Sequence, residues 1–133
     1  MDLKLGECFK EGKLQEHIAR SSQAAKKFLQ NFEIVPEKLT KIISCVESHH
    51  GVPEFSCLEA EICANADCYR FLHPRGIVSA LILRGRRNES TDNALAQVEK
   101  KMDEKFSILS LSTCKEELTP YYNMFKKIIA EAK

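Results

Sequence analysis

Few residues of this chain could hold a cation or move a proton. There are four histidines: His17, His49, His50 and His73. His49 and His50 stand side by side where a helical pattern runs out at Gly51. Neighbouring residues on a helix point about 100° apart. Two such rings can enter one cavity from its wall, but they do not stack on one ion as an i, i+4 pair does. Asp67 closes the run Ile62-Cys63-Ala64-Asn65-Ala66-Asp67, which is otherwise small or apolar. A carboxylate on an inward face is costly to bury unless it is paired or binds a cation. Each residue also has a plainer reading. A His-His pair at a helix end is a solvated cap favoured by the helix dipole. An inward Asp pairs with an arginine such as Arg70 or Arg75. His17, near the start of the first long helix, reads as a surface residue, and His73, before Pro74, as a turn residue.

The elements that must position these side chains are helices; the pattern predicts five or six and no strand. Leu14 to Phe32 repeats Ile18, Ala25, Phe28, Leu29 and Phe32 at helical spacing. Pro36 suits a first helical turn and opens a second helix. Its inner stripe is Leu39, Ile42, Ile43 and Val46, and His49-His50-Gly51 ends it. Ser56 and Glu59 have capping-box spacing and predict a third helix over about 57–72. A fourth, with Ile77, Val78, Ala80, Leu81, Ile82 and Leu83, is apolar on most sides and is expected to be buried. Residues 84–92 read as a polar loop. A fifth helix spans about 92–109 and the last about 114–130, with Thr113 and Glu116 as its capping box. Pro120 is expected to kink or restart the last helix. The expected organisation is one domain over 1–133: a flexible start at 1–13, a site-bearing half at 14–87 and a helical pair at 88–133.

Composition excludes several classes. At 133 residues the chain suits one domain. Its 44% hydrophobic and 29% charged residues are those of a globular protein. No run of about 18 apolar residues predicts a membrane span. A net charge of +1 argues against wholesale capture of nucleic acid. Arg84, Arg86 and Arg87 form a basic cluster without interleaved aromatics, which reads as a solvated loop. The six cysteines form no CxxC pair. No signal peptide is legible at the N-terminus, so the expectation is a cytoplasmic chain with free thiols.

The order of these motifs resembles the later half of the HD superfamily of metal-dependent phosphohydrolases. The matching elements are His17 with Ala24-Ala25, Ile43 to His49-His50, Glu59-Ala60-Glu61-Ile62, Ala66-Asp67, Gly76-Ile77 and the Arg84-Gly85-Arg86-Arg87 loop. The resemblance covers most of the chain. It implies an all-α, HD-like helical bundle, truncated at its N-terminal side. It also implies a pocket for a divalent metal (Mn, Fe, Zn, Ni, Co or Mg). The ligands so implied are His17, His49, His50, Asp67 and Asp2, with Asp67 and Asp2 the carboxylates at the reacting centre. A metal-activated water would attack phosphorus in a phosphate ester or nucleotide, and Arg70 or Arg75 would steady the phosphate.

The pattern departs from the family at the start. Aligned back from His17, Asp2 is in register with the aspartate of the His-Asp pair, and Met1 stands where the histidine belongs. The helix with the first histidine ligand has no counterpart. Two expectations follow. Metal binding and hydrolysis should be weak or absent, with Asp2 on a frayed terminus. Apolar surface left uncovered on the fourth helix should drive homo-oligomerisation. The competing expectation is a non-catalytic helical module that binds a nucleotide or a protein.

Overall fold

In the computed structural model, which describes residues 1–133, every regular element is helical. The elements are α1 (Leu5–Lys10), a 3-10 turn at Leu14–Glu16, α2 (His17–Leu29), α3 (Pro36–Ser48), α4 (Leu58–Leu72), α5 (Pro74–Arg86), α6 (Thr91–Ile108) and α7 (Ser112–Glu131). That is seven α-helices, where the periodicity predicts five or six. The addition is α1, which lies in the stretch read as a flexible start. Its anchor is Cys8, fully buried. Residue contacts divide the chain into two compact units, Met1–Ala64 and Asn65–Lys133, with the division falling inside α4. No helix is long and apolar enough to cross a membrane.

The first unit is organised by α2 packed on α3. Ala25, Ile43 and Val46 form its buried apolar cluster, with Leu29 and Leu39 against them. The inward face of α2 differs from the apolar stripe in the sequence. His17, Ser21, Ser22 and Ala25 are buried, whereas Phe28 and Phe32 are exposed and lie against each other. Both buried serines on this face have partners. Ser21 Oγ accepts from the Lys4 backbone N–H at 3.0 Å, and Ser22 Oγ donates to Glu47 on α3 at 2.5 Å. The Glu47 carboxyl lies below its usual range, first because Ser22 donates to it and further because Lys26 does. α3 begins at Pro36 and ends where expected: Gly51, at φ 87°, takes the left-handed conformation that turns the chain. α4 starts at Leu58, one residue after Cys57. Ser56 does not cap it, because its hydroxyl meets Ser44 and the Glu59 carboxylate meets Lys41.

The second unit has the larger apolar core: Cys68, Leu72, Ile77, Leu95, Val98, Met102, Leu109, Leu118 and Ile129. On α5 only Ile77 is buried; Val78, Ile82 and Leu83 are about half exposed, contrary to the expectation of a buried helix. α5 also extends through Arg86, so the expected loop shrinks to a short turn with Asn88 at φ 57°. Ser90 caps α6 by accepting from the Asn93 N–H. α7 starts earlier than Thr113, without a side-chain cap, and runs through Pro120 as one helix. Asn65 holds the α6–α7 turn: its Oδ1 accepts from the Ser110 and Leu111 N–H groups, and its Nδ2 donates to Ser110 Oγ.

The approach of α5 to the end of α4 leaves no space for a side chain at Gly76. A Cβ there would lie 2.0 Å from the Arg70 carbonyl oxygen, a backbone atom that cannot swing aside. Gly76→Ala is therefore expected to lower stability by about 2 kcal/mol or more, whereas Gly85→Ala, in open space, should be neutral or mildly stabilising. Urea denaturation of the two variants checks this.

Candidate metal centre

Four residues from the first unit converge: Asp2, His17, His49 and His50. One potential ligand atom from each lies within 4.8 Å of all the others. The local folding that brings them together uses the same device twice. His17, the first residue of α2, turns its ring back so that Nδ1 donates to the Leu14 carbonyl at 2.6 Å. His49, the residue after α3, turns back so that Nδ1 donates to the Val46 carbonyl at 2.7 Å. Both carbonyls lie three residues upstream; that of Val46 is in the last turn of α3, where intrahelical donors run out, and that of Leu14 also accepts the His17 backbone N–H. A carbonyl oxygen only accepts, so each Nδ1 carries the proton. A neutral ring then has its lone pair on Nε2.

Both Nε2 atoms face one carboxylate oxygen. Asp2 Oδ1 lies 3.0 Å from His49 Nε2 and 3.6 Å from His17 Nε2. His49 is fully buried and His17 nearly so, and His17 Nε2 is a buried nitrogen without a hydrogen-bond partner. The His50 ring packs 5.0 Å from that of His17 and 4.3 Å from that of His49, centroid to centroid. Asp2 is held rather than frayed. Its carbonyl accepts from Leu5 N at 3.2 Å, Lys4 N is fixed on Ser21, and Cys8 anchors the helix that follows. Burial pushes the Asp2 carboxyl up, but the charge and hydrogen bond of His49, with the charges of His17 and His50, outweigh it and set it below its usual range.

The donor set fits a divalent cation. With both rings neutral, two Nε2 lone pairs and a carboxylate oxygen are all acceptors and repel at these distances unless a cation stands between them; with a second proton on His49, its Nε2 instead donates to Asp2 Oδ1. A cation at about 2.1 Å from each donor would set them roughly 3.0–3.4 Å apart, close to the two observed Asp2 distances. Three imidazoles with one carboxylate suit Zn, Fe, Co, Ni or Mn better than Mg, which favours oxygen.

The remaining site residues read from the sequence lie in the second unit. Asp67 is not one of the four converging groups. Its Oδ2 accepts from Lys105 Nζ at 2.7 Å, and its Oδ1 faces the Arg70 guanidinium at 3.5 Å. The pairing with Arg70 was legible in the sequence; the one with Lys105 was not. Lys105 is fully buried, with its Nζ 5.3 Å from the centre of the Phe71 ring. The signal was present, because Leu95, Val98, Met102, Lys105 and Leu109 repeat at three- and four-residue spacing and put Lys105 on the inward stripe. Arg70 and Arg75 line one open groove of about 530 Å³ with Tyr69, Phe71, His73 and Ser79. His73 caps α5 by accepting from Arg75 N at 3.3 Å. Of the basic cluster, Arg84 is paired to Glu89 at 2.7 Å. His17, read by itself as a surface residue, is instead buried among the four.

No protein-family model matches the chain, and no curated protein or solved structure matches it significantly.

Removing one member of the buried Asp67–Lys105 pair strands the other. Lys105→Met is expected to cost about 3–5 kcal/mol, softened where Arg70 follows the carboxylate. The double variant Asp67→Leu with Lys105→Met should regain most of that loss. Chemical denaturation of the two singles and the double gives the coupling directly, and additive losses would show the pair to be uncoupled.

Proposed function

We propose that the chain is a metal-dependent phosphohydrolase-like protein of the HD kind, with a divalent cation held by Asp2, His17, His49 and His50. The observation that carries this reading is the unpartnered, buried His17 Nε2 facing the same Asp2 oxygen as His49 Nε2. Their order along the chain, Asp2, His17 and then the His49-His50 pair, is that of the resemblance drawn from the sequence. A bound cation supplies Lewis acidity and an acidified water. The residues do the rest. The Leu14 and Val46 carbonyls hold the imidazoles in the ligating tautomer. Asp2 offsets one unit of the ion's charge, and with three neutral rings the centre keeps net +1, which favours a phosphate anion. In the second unit, Asp67 and the Phe71 ring orient Arg70; the phosphate-steadying role of Arg70 and Arg75 is an expectation of the resemblance and no part of the centre proposed here. The substrate class is a phosphate ester, a nucleotide included.

A second reading rests on the same donors. Four protein ligands complete a tetrahedral zinc and leave no position for water, which makes the centre structural and the chain a non-catalytic nucleotide- or protein-binding module. A six-coordinate ion keeps two positions open. Self-association belongs to either reading, through the exposed Val78, Ile82 and Leu83 of α5.

The test begins with metal content. After loading and desalting, one equivalent of Mn, Co, Ni or Zn per chain is expected, with affinity falling as pH is lowered because ligating imidazoles must be neutral. A metal at a hundredfold excess over its Kd should stabilise the fold by about 2.7 kcal/mol. His17→Ala and His49→Ala should each weaken binding at least a hundredfold, and His73→Ala should not. Turnover of an aryl phosphate with Mn or Ni, lost in those variants, supports the hydrolase. Stoichiometric metal with a tetrahedral cobalt spectrum and no turnover selects the module. A chain that retains no metal removes both. Light scattering at micromolar concentration should give a dimer or larger; a monomer mass would remove the self-association.

A further inference from the structure

The end of α4 and one face of α5 line a groove of about 530 Å³ that lies wholly within the second unit. Gly76, Ser79, Ala80 and Leu83 give it one side, at the spacing of a single helical face. No acidic residue lines it, and two arginines do. Arg70 lies over the Phe71 ring at 4.9 Å and faces Asp67 Oδ1 at 3.5 Å, while Asp67 Oδ2 is held by Lys105 at 2.7 Å. One carboxylate between two cations leaves a positive charge over. Arg75 is exposed and its guanidinium is in no ion pair; its bonds are those of its backbone, whose N–H donates to His73 Nδ1 and whose carbonyl accepts from Ser79 Oγ. The start of α5 is not itself an anion site. Pro74 has no N–H, and those of Arg75, Gly76 and Ile77 all go to His73. The other polar groups at the rim are engaged too: Tyr69 donates to Glu117 at 2.7 Å, and the His73 ring meets that of Tyr121 edge to face. The groove therefore offers apolar walls and one uncommitted guanidinium.

We propose that this groove binds a small organic carboxylate, with the head on Arg75 and an aromatic or acyl body over Ala80 and Leu83. The volume lies within the range of about 300–1,000 Å³ that small-molecule sites occupy. A guanidinium presents two parallel N–H donors that match the two oxygens of one carboxylate, and a bond of this kind is stronger than one between neutral groups. Arg70 is turned to Asp67 and adds charge beside the head rather than a second free fork, which suits a head with one negative charge. Specificity for an anion follows from the acid-free lining, and preference for an apolar body from Ala80 and the half-exposed Leu83. The proposal does not depend on the metal centre, all of whose residues belong to the first unit.

The experiment uses the full chain with a chelator present, so that no bound metal captures the carboxylate and failure here leaves the metal reading untouched. Naphthoate is titrated while backbone amide signals are followed by NMR. Saturating shifts are expected at residues 69–83 and not at His17, His49 or His50. Naphthylmethanol, which keeps the body and loses the charge, should bind about tenfold more weakly, and Arg75→Gln should weaken naphthoate by about the same factor. Arg75→Lys, which keeps the charge without the fork, should fall between Arg75→Gln and the unmodified chain. Leu83→Ser should weaken naphthoate about fivefold through lost apolar contact. Arg87→Gln, beyond the groove, should change nothing. Naphthyl phosphate binding more tightly than naphthoate would make this a phosphate site and overturn the carboxylate assignment. Shifts centred outside the groove, equal affinity for naphthylmethanol, undiminished affinity in Arg75→Gln, or no binding at millimolar naphthoate would overturn the proposal altogether.

Discussion

Two imidazole Nε2 atoms facing one carboxylate oxygen form the constraint around which the first unit is arranged. The Leu14 and Val46 carbonyls accept from Nδ1 of His17 and His49, and that orientation puts both Nε2 atoms on the side of Asp2 Oδ1. Each bond is local, a ring reaching back three residues, so each ring is oriented by its own helix end. The long-range part is the delivery of Asp2, which comes from 15 residues before His17 and 47 before His49. Its position relies on the Ser21 hydroxyl that takes the Lys4 N–H and on buried Cys8. The polar inward face of α2 is therefore part of the site. Ser21 holds the segment that carries Asp2, and Ser22 ties α2 to the helix that carries His49 and His50.

The second unit handles buried charge differently. Asp67 has its counter-charge in the protein, a lysine fully withdrawn from water. A pair of this kind is seldom a large net source of stability, since taking both charges out of water costs about as much as their attraction returns. Its consequence is specificity of packing, because a shift of α6 against α4 would separate Lys105 from Asp67 with no water at hand to replace either. Asn65, two residues before Asp67, adds a second polar fixture on the same helix through three hydrogen bonds to the α6–α7 turn. In the first unit the charge of the half-buried Asp2 carboxylate faces imidazoles, and these balance it only when protonated or joined by a cation.

How much of this was legible in the sequence depends on the range of the forces involved. The ends of α3 and α4 were, because Pro36, Gly51 and Pro74 act through their own backbone. The meeting of His17 with His49 and His50 was open to the family resemblance and not to spacing, since 32 residues separate His17 from His49. α1 was missed because six residues without a side-chain cap leave almost no periodic signal; tertiary burial of Cys8 holds it. The inward face of α2 was misread because phenylalanines outweigh serines in any apolar count, while the fold buries the serines that have partners and leaves Phe28 and Phe32 outside. Lys105 was passed over for the same reason: its aliphatic stem suits a core position, and its amine is admissible there only because Asp67 waits 38 residues away. Pro120 removes one helical donor, and packing of Leu118 and Ile129 on either side of it holds α7 together.

The unequal cores of the two units bear on what a cation would mean for the fold. The second unit buries a cluster of nine side chains that includes Leu72, Ile77, Met102, Leu118 and Ile129. The first buries Ala25, Ile43 and Val46 as a cluster, and places serines and histidines where an ordinary helix pair would put leucines. Small apolar area gives little driving force, and facing acceptors subtract from it. A ligand that binds only the folded arrangement adds its binding free energy to stability. In the first unit, that contribution would fall on the residues with the least apolar burial to hold them, so that occupancy of the proposed centre and order in α1 and α2 would be two aspects of one equilibrium. Asp2 would be the member on which it turns, because it is the only carboxylate among the four.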